Sequence, residues 1–216
     1  MDDIVLWGGE SSRAFRSHWA LRELGINDQI KRQHVDIDLR TGVIFQKDEK
    51  AAAHYRDNLH PDSRQPSMQG RNGFTLFESL AINYYLAKRC NHPELAPRNL
   101  EEEARVMQWS IWTITYCEDN CVNLMFSNMM RNAEKKAARQ KPLKEGLQRP
   151  FASLDRWLAK NKYMLGDSRW SIADLNVCSV IQWGIQGGMD LTPYPNLARW
   201  WKESSSRPLF NPPSKV

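Results

Sequence analysis

Glu78 and Ser79 stand side by side where a strand-like run gives way to helical periodicity. Backbone amides at a helix start, with the Ser79 hydroxyl as a further donor, suit a bound carboxylate, and the Glu78 carboxylate suits a bound ammonium. A ligand carrying both groups, such as an α-amino acid, is therefore suggested. A second set of hydroxyls, Ser11 and Ser12, follows Gly8-Gly9-Glu10, between a short apolar run and a helical pattern. One of them sits at the start of the first helix.

The elements that must position these groups can be read in order. Residues 4–7 are a short continuous apolar run, as expected of a strand covered on both faces. Residues 13–24 read as a helix, with Phe15/Trp19 and Ala20/Leu24 spaced i,i+4 and Gly25 suited to the left-handed position after its end. Strict alternation over 34–39 places Val35, Ile37 and Leu39 on one face and predicts a half-buried strand. Residues 40–60 are polar and irregular, with a helical turn over 50–55. In the stretch QPSMQGRNGFTLFESLAINYYLA (65–87), Arg71-Asn72-Gly73 supplies a hairpin turn, because Asn and Gly tolerate positive φ. Ala81/Tyr85 and Ile82/Leu86 then mark a helix. This βαβ then ββα order is that of a thioredoxin-like domain.

From 91 to 98 two prolines mark a linker. Beyond it the pattern is helical throughout. Asn99 with Glu102 fits an N-cap followed by an acid at the third position, and a long helix carrying Trp109, Trp112 and Tyr116 is predicted to run to about 128, buried on both sides. Leu147, Phe151, Leu154 and Leu158 define an amphipathic helix over 144–159. Ser171 and Asp174 stand at capping-box spacing, and Tyr194-Pro195 reads as a further helix entry. The expected architecture is a thioredoxin-like domain over 1–90, a linker over 91–98 and an all-helical domain over 99–216.

Composition bounds the function. The 216 residues are 41% hydrophobic and 25% charged, as in a globular protein, and no apolar run reaches the roughly 18 residues that suggest a membrane span. Met1-Asp2-Asp3 lacks the basic start of a secretory signal, so a cytoplasmic location is expected. Cys90, Cys117, Cys121 and Cys178 do not make a disulfide framework, and no histidine near Cys117 and Cys121 extends them into a metal site. The net charge of +5 is concentrated in 131–144, which lacks the interleaved aromatics of a nucleic-acid surface and reads as a solvated face.

Pro66, Glu78-Ser79-Leu80-Ala81-Ile82 and Tyr85-Leu86 together resemble the glutathione transferases, and the likeness runs from Ile4 to Pro208. In that family a cis proline precedes the third strand, and the Glu-Ser pair holds the γ-glutamyl end of glutathione. The resemblance implies a cis Gln65-Pro66 bond, a main-chain contact from Gln65 to the cysteinyl unit, and Arg64 reaching the glycyl carboxylate. Two positions depart from the family pattern: Gln65 replaces a usual valine and Ser63 a common glycine. The Ser-Ile-Ala-Asp segment ending at Asp174 resembles a structural element of the family's helical domain.

The resemblance also implies the chemistry. Lowering the thiol pKa by about two units requires roughly 2.7 kcal/mol. A charge-assisted hydrogen bond supplies about 1.5–3 kcal/mol and a helix start roughly 0.3–1, so one hydroxyl suffices. Serine-type members place that hydroxyl four residues after the glycine ending the first strand, which selects Ser12, with Ser11 as the alternative. Trp7 stands where tyrosine-type members carry a phenol, and no cysteine precedes Cys90. The electrophile is expected against the long helix, at Trp112 and Tyr116. The implied protein is a homodimeric glutathione transferase that uses glutathione as cosubstrate and takes a small electrophile. The alternative is a non-catalytic binding or interaction protein of the same fold.

Overall fold

A computed structural model describes residues 3–35, 49–166 and 169–210, which divide into two compact units, one ending at His92 and the other running from Pro93 to Phe210. The first is thioredoxin-like with a small sheet, and the second is helical.

Strand β1 (Val5–Trp7) is central in a sheet of order β2-β1-β3-β4. It runs parallel to β2 (Lys31–Gln33) and antiparallel to β3 (Ser67–Gln69), which pairs with β4 (Thr75–Phe77). Three-residue strands have little stability of their own; the apolar side chains above and below them supply it. Ile4, Leu6 and Met68 are buried, as are Phe15, Trp19 and Leu21 of helix α1 (Phe15–Glu23) and Ile82 and Leu86 of helix α3 (Ser79–Cys90). Each such side chain contributes roughly 1.5–3 kcal/mol on burial. The last turn of α1 closes as expected, with Gly25 at φ +67° and the Ile26 N–H reaching Leu21 O at 3.1 Å.

The second strand differs from expectation. Within the described residues it is Lys31–Gln33, which is exposed; His34 and Val35 lie beyond its end, and 36–39 of the expected strand lie outside the described residues. As the sheet's edge, β2 takes its register from hydrogen bonding to β1 and needs no apolar face, so its polar sequence concealed it. Val35 instead joins Tyr55 and Leu59 in a small cluster that packs against Trp7. Tyr55 is the buried residue of helix α2 (Glu49–Asn58) and meets the Trp7 ring edge-on at 5.9 Å. The hairpin is as predicted: Asn72 and Gly73 take φ of +54° and +74°, and Gly70 N–H donates to Phe74 O at 2.8 Å.

In the helical unit, α7 (Ile172–Gln186) is buried from Ile172 to Gly184. Around it pack α4 (Leu100–Thr113), α5 (Asp119–Ser127) and α8 (Pro195–Ser205), while α6 (Ala133–Leu158) packs on α5 and α8. The predicted single helix from 99 to 128 is broken by a π-helical turn over Ile114–Glu118. Nor is it buried on both sides: Leu100, Met107, Ile111 and Ile114 form an exposed apolar stripe. Helix α6 starts well before 144, because Asn132 caps it by accepting from Lys135 N–H at 2.9 Å. Among the described residues no helix is long and apolar enough to cross a membrane.

Candidate functional site

After β1 the chain turns sharply at Gly8, whose φ is +126°. A β-carbon there would lie 2.7 Å from Gln65 Oε1 and 2.9 Å from the Ala14 side chain, so no other residue fits without displacement. Gly8 N–H donates to Gln33 O at 3.0 Å, and Gly8 O accepts from His18 Nε2 at 2.9 Å. Burial holds His18 below the usual histidine range, which keeps the ring neutral against that carbonyl. Ser12 is half-buried; its hydroxyl donates to Gly9 O at 2.8 Å and accepts from Ala14 N–H at 3.0 Å. Ser11 is exposed, and its hydroxyl makes no hydrogen bond among the described residues. The two candidate hydroxyls thus differ: that of Ser12 is engaged with a neutral carbonyl, whereas that of Ser11 stands on an exposed residue.

The Gln65–Pro66 peptide is cis, as expected. Gln65 is buried, and its side-chain Oε1 accepts from Gly9 N–H at 3.0 Å, tying this loop to the serine loop. The preceding Arg64 is exposed, with no hydrogen bond or ion pair from its guanidinium among the described residues. Its carbonyl accepts from the Tyr55 hydroxyl at 2.8 Å, and that hydroxyl in turn accepts from Ser67 Oγ at 2.7 Å. Burial pushes the Tyr55 phenol up to about 12, so it remains a donor at neutral pH. Ser63 sits at φ +51°, in the left-handed region that glycine adopts without cost.

Glu78 enters α3 at φ +72°, a sparsely populated conformation for a residue with a side chain, and its carboxylate is exposed. Such strain persists only where surrounding structure fixes it, and it clusters at ligand sites. Here the fixing contacts are visible. Glu78 O accepts from Ile82 N–H at 2.9 Å, Ser17 Oγ donates to Ser79 O at 3.4 Å, and Arg16 Nη1 donates to Ser79 Oγ at 3.4 Å. Arg16 is 1% exposed, so α1 brings a buried guanidinium beneath the α3 start, where cation, oriented amides and hydroxyl all favour an anion. His60, whose ring lies tilted against that of Phe77 with centroids 4.7 Å apart, is held below the usual histidine range by burial, with Glu78 opposing.

Within this unit hydrogen bonds join Ser12 to Gly9 at 2.8 Å and Gly9 to Gln65 at 3.0 Å, and a longer one of 3.4 Å joins Ser79 to α1. Arg16, His18 and Tyr55 were not read from the sequence, and neither was the Gln65 side chain. Arg16 and Gln65 act across 63 and 56 residues, and His18 and Tyr55 reach partners 9 to 12 positions away in other elements, which no helical or strand spacing reveals; the one signal was a charged or polar residue on an otherwise apolar helical face. In the helical unit Trp112 is half-buried and Tyr116 exposed, their rings 5.8 Å apart, with Trp109 edge-on to Trp112 at 5.4 Å.

Residues 3–88 match the glutathione S-transferase N-terminal domain, and residues 117–208 match the glutathione S-transferase C-terminal domain. The chain belongs to the glutathione S-transferase family. It is 27% identical to glutathione S-transferase Y-2 of Pichia kudriavzevii over 178 residues, 82% of this chain and 87% of that relative. It is also 29% identical to elongation factor 1-gamma of Danio rerio over 154 residues, 69% of this chain but 33% of that relative, so it spans about a third of that protein's length. Among solved structures, a glutathione S-transferase from Pseudomonas fluorescens superposes with a TM-score of 0.76 at 21% identity, covering 97% of this chain and 98% of that one. A theta class enzyme from Xanthomonas axonopodis pv. citri with glutathione bound gives 0.76 at 24% identity, covering 97% and 96%. These two likenesses establish the fold.

Proposed function

We propose that this family member is a serine-type glutathione transferase, acting in the cytoplasm on small hydrophobic electrophiles by conjugation, ether cleavage or dehalogenation, as in detoxification. The observation that carries the proposal lies in one unit: the Ser11–Ser12 turn is hydrogen-bonded to the loop of the Gln65–Pro66 cis bond, and the Glu78–Ser79 helix entry is bonded to α1, the helix that follows that turn. In this reading Glu78 takes the γ-glutamyl ammonium and Ser79 its carboxylate. The Gln65 main chain holds the cysteinyl unit, Pro66 shapes that segment, and Arg64 reaches the glycyl carboxylate.

Ser12 then donates to sulfur. Its hydrogen must swing from Gly9 O, giving up a neutral bond worth about 0.5–1.5 kcal/mol for a charge-assisted one worth about 1.5–3. The exchange is favourable, and the retained Ala14 N–H polarises the hydroxyl toward donation. With roughly 0.3–1 kcal/mol from the nearby helix start, the thiol pKa falls by about one to two units. The thiol proton leaves to solvent, the thiolate forms a carbon–sulfur bond to the electrophile, and the leaving group departs with the bonding pair. Trp112 and Tyr116 are assigned to the electrophile pocket. A second copy of the chain is the expected partner, and the exposed stripe of Leu100, Met107, Ile111 and Ile114 supports a homodimer.

The likeness to elongation factor 1-gamma favours a second reading, a non-catalytic binding or interaction protein of the same fold. Retention on immobilised glutathione followed by conjugation of a generic aryl halide separates the two. Retention with turnover, lost in Ser12→Ala, is expected. Retention without turnover across a broad electrophile panel would favour the binding protein, and an unchanged rate for Ser12→Ala with loss in Ser11→Ala would move the hydroxyl to Ser11.

A further inference from the structure

We infer that the side chain of Gln65, and not its main chain alone, is a positioning residue that sets where the serine hydroxyls lie; the catalytic half of this inference rests on the glutathione transferase reading above. The main chain of Gly8 and Gly9 is engaged at each polar atom. Gly8 N–H goes to Gln33 O and Gly8 O to His18, while Gly9 O takes both Ser12 N–H at 3.2 Å and Ser12 Oγ–H at 2.8 Å. Gly9 N–H is the fourth group, and its acceptor comes from 56 residues away, the Oε1 of Gln65 at 3.0 Å. One residue is thus gripped at its N–H by Gln65 and at its carbonyl by Ser12.

Two further observations make this a built contact. Gln65 is 8% exposed, so its amide is held inside the fold and its acceptor is not shared freely with water. The turn is also shaped to admit it, since a β-carbon on Gly8 would fall 2.7 Å from the same oxygen. A valine at this position would offer no acceptor. This chain therefore fastens its serine loop to the cis-proline loop by a bond that a valine-bearing relative cannot make. Movement of Gly9 would carry the carbonyl that now holds the Ser12 proton, so the clamp governs both the resting partner of that proton and its route toward sulfur.

The test uses the full chain with Gln65→Met, which keeps length and removes the acceptor, and Gln65→Glu, which keeps an acceptor. The first readout is hydrogen exchange of the Gly9 amide by NMR, which requires no turnover. Loss of a bond worth about 0.5–1.5 kcal/mol predicts roughly threefold to tenfold faster exchange in Gln65→Met and near wild-type exchange in Gln65→Glu. The second is the pH profile of kcat/KM for glutathione, expected to move to higher pH in Gln65→Met and to show no added shift when the active serine is already alanine. Gln65→Val replaces Gln65→Met if the latter does not fold. Unchanged Gly9 exchange in the acceptor-free variant overturns the clamp. Faster exchange with an unmoved pH profile overturns the positioning role. Absence of turnover in the wild type, with faster exchange in the variant, keeps the clamp and overturns the transferase reading instead.

Discussion

Ser12 and Ser171 do the same local job in different surroundings. Each hydroxyl accepts from a backbone N–H two residues ahead, Ala14 at 3.0 Å and Ala173 at 3.3 Å, and each gives away its single proton. Ser171 gives it to the Asp174 carboxylate at 3.0 Å, and both residues are fully buried. Ser12 gives it to a neutral carbonyl on a half-buried turn. In the first case the acceptor is the strongest one available and no competitor can approach. In the second the carbonyl is a weaker acceptor than an anion would be, and the turn is open to solvent. On the proposed reading, what separates the structural serine from the reactive one is the partner of its proton and access to it.

The comparison can be broken at several points. The largest effect is expected for Asp174→Ala, which leaves Met164 N–H, Trp200 Nε1–H and both Ser171 donors without their acceptor. At about 1–3 kcal/mol for each of the four stranded groups, the chain should lose at least about 4 kcal/mol in urea unfolding. A loss under about 1 kcal/mol would mean that this cluster is not what fixes α7. Next, Ser12→Ala should lower kcat/KM for glutathione roughly tenfold to 150-fold, the equivalent of one charge-assisted bond. Ser171→Ala should leave kcat/KM per folded molecule unchanged while costing about 0.5–2 kcal/mol of stability. If the two variants behaved alike in both assays, the distinction between them would fail.

A further effect is in pH. Burial pushes the Asp174 carboxyl up to about 6, against four hydrogen bonds that draw it down. Because the folded value lies above the unfolded one of 3.8, the folded state binds the proton more tightly. Its contribution to stability is therefore full below the unfolded value and is lost as pH rises through the folded one. Stability of wild type minus that of Asp174→Asn should fall from roughly pH 4 to 6. A flat or rising difference across that window would show that the hydrogen bonds outweigh burial.

Much of this was legible because the signals were local. Asn72-Gly73, Gly25, the Ser171–Asp174 pair and the Glu78-Ser79 entry are each defined by residues within a few positions of one another. The rest required tertiary context. Strand β2 was missed because an exposed edge strand carries no apolar alternation, and the π turn at Ile114–Glu118 interrupts a helix without a proline or glycine to announce it. The start of α6 was missed because its first turns are solvated and its prolines, Pro142 and Pro150, lie inside it. At the candidate site, Glu78, Ser79, Pro66 and the two serines were nameable from pattern. Arg16, Tyr55 and the Gln65 amide were not, since each meets its partner through folding alone.

The two glycines of the serine loop carry unequal freedom. Gly8 combines a positive φ with a β-carbon position already filled by Gln65 and Ala14, whereas at Gly9 the nearest neighbours of an added carbon are His34 at 3.7 Å and Ser11 at 3.9 Å. In a library of all substitutions Gly8 would stand empty while Gly9 accepted small residues. Drift between related sequences is then channelled through the second glycine, so the loop can vary its outer wall without changing the turn on which it stands.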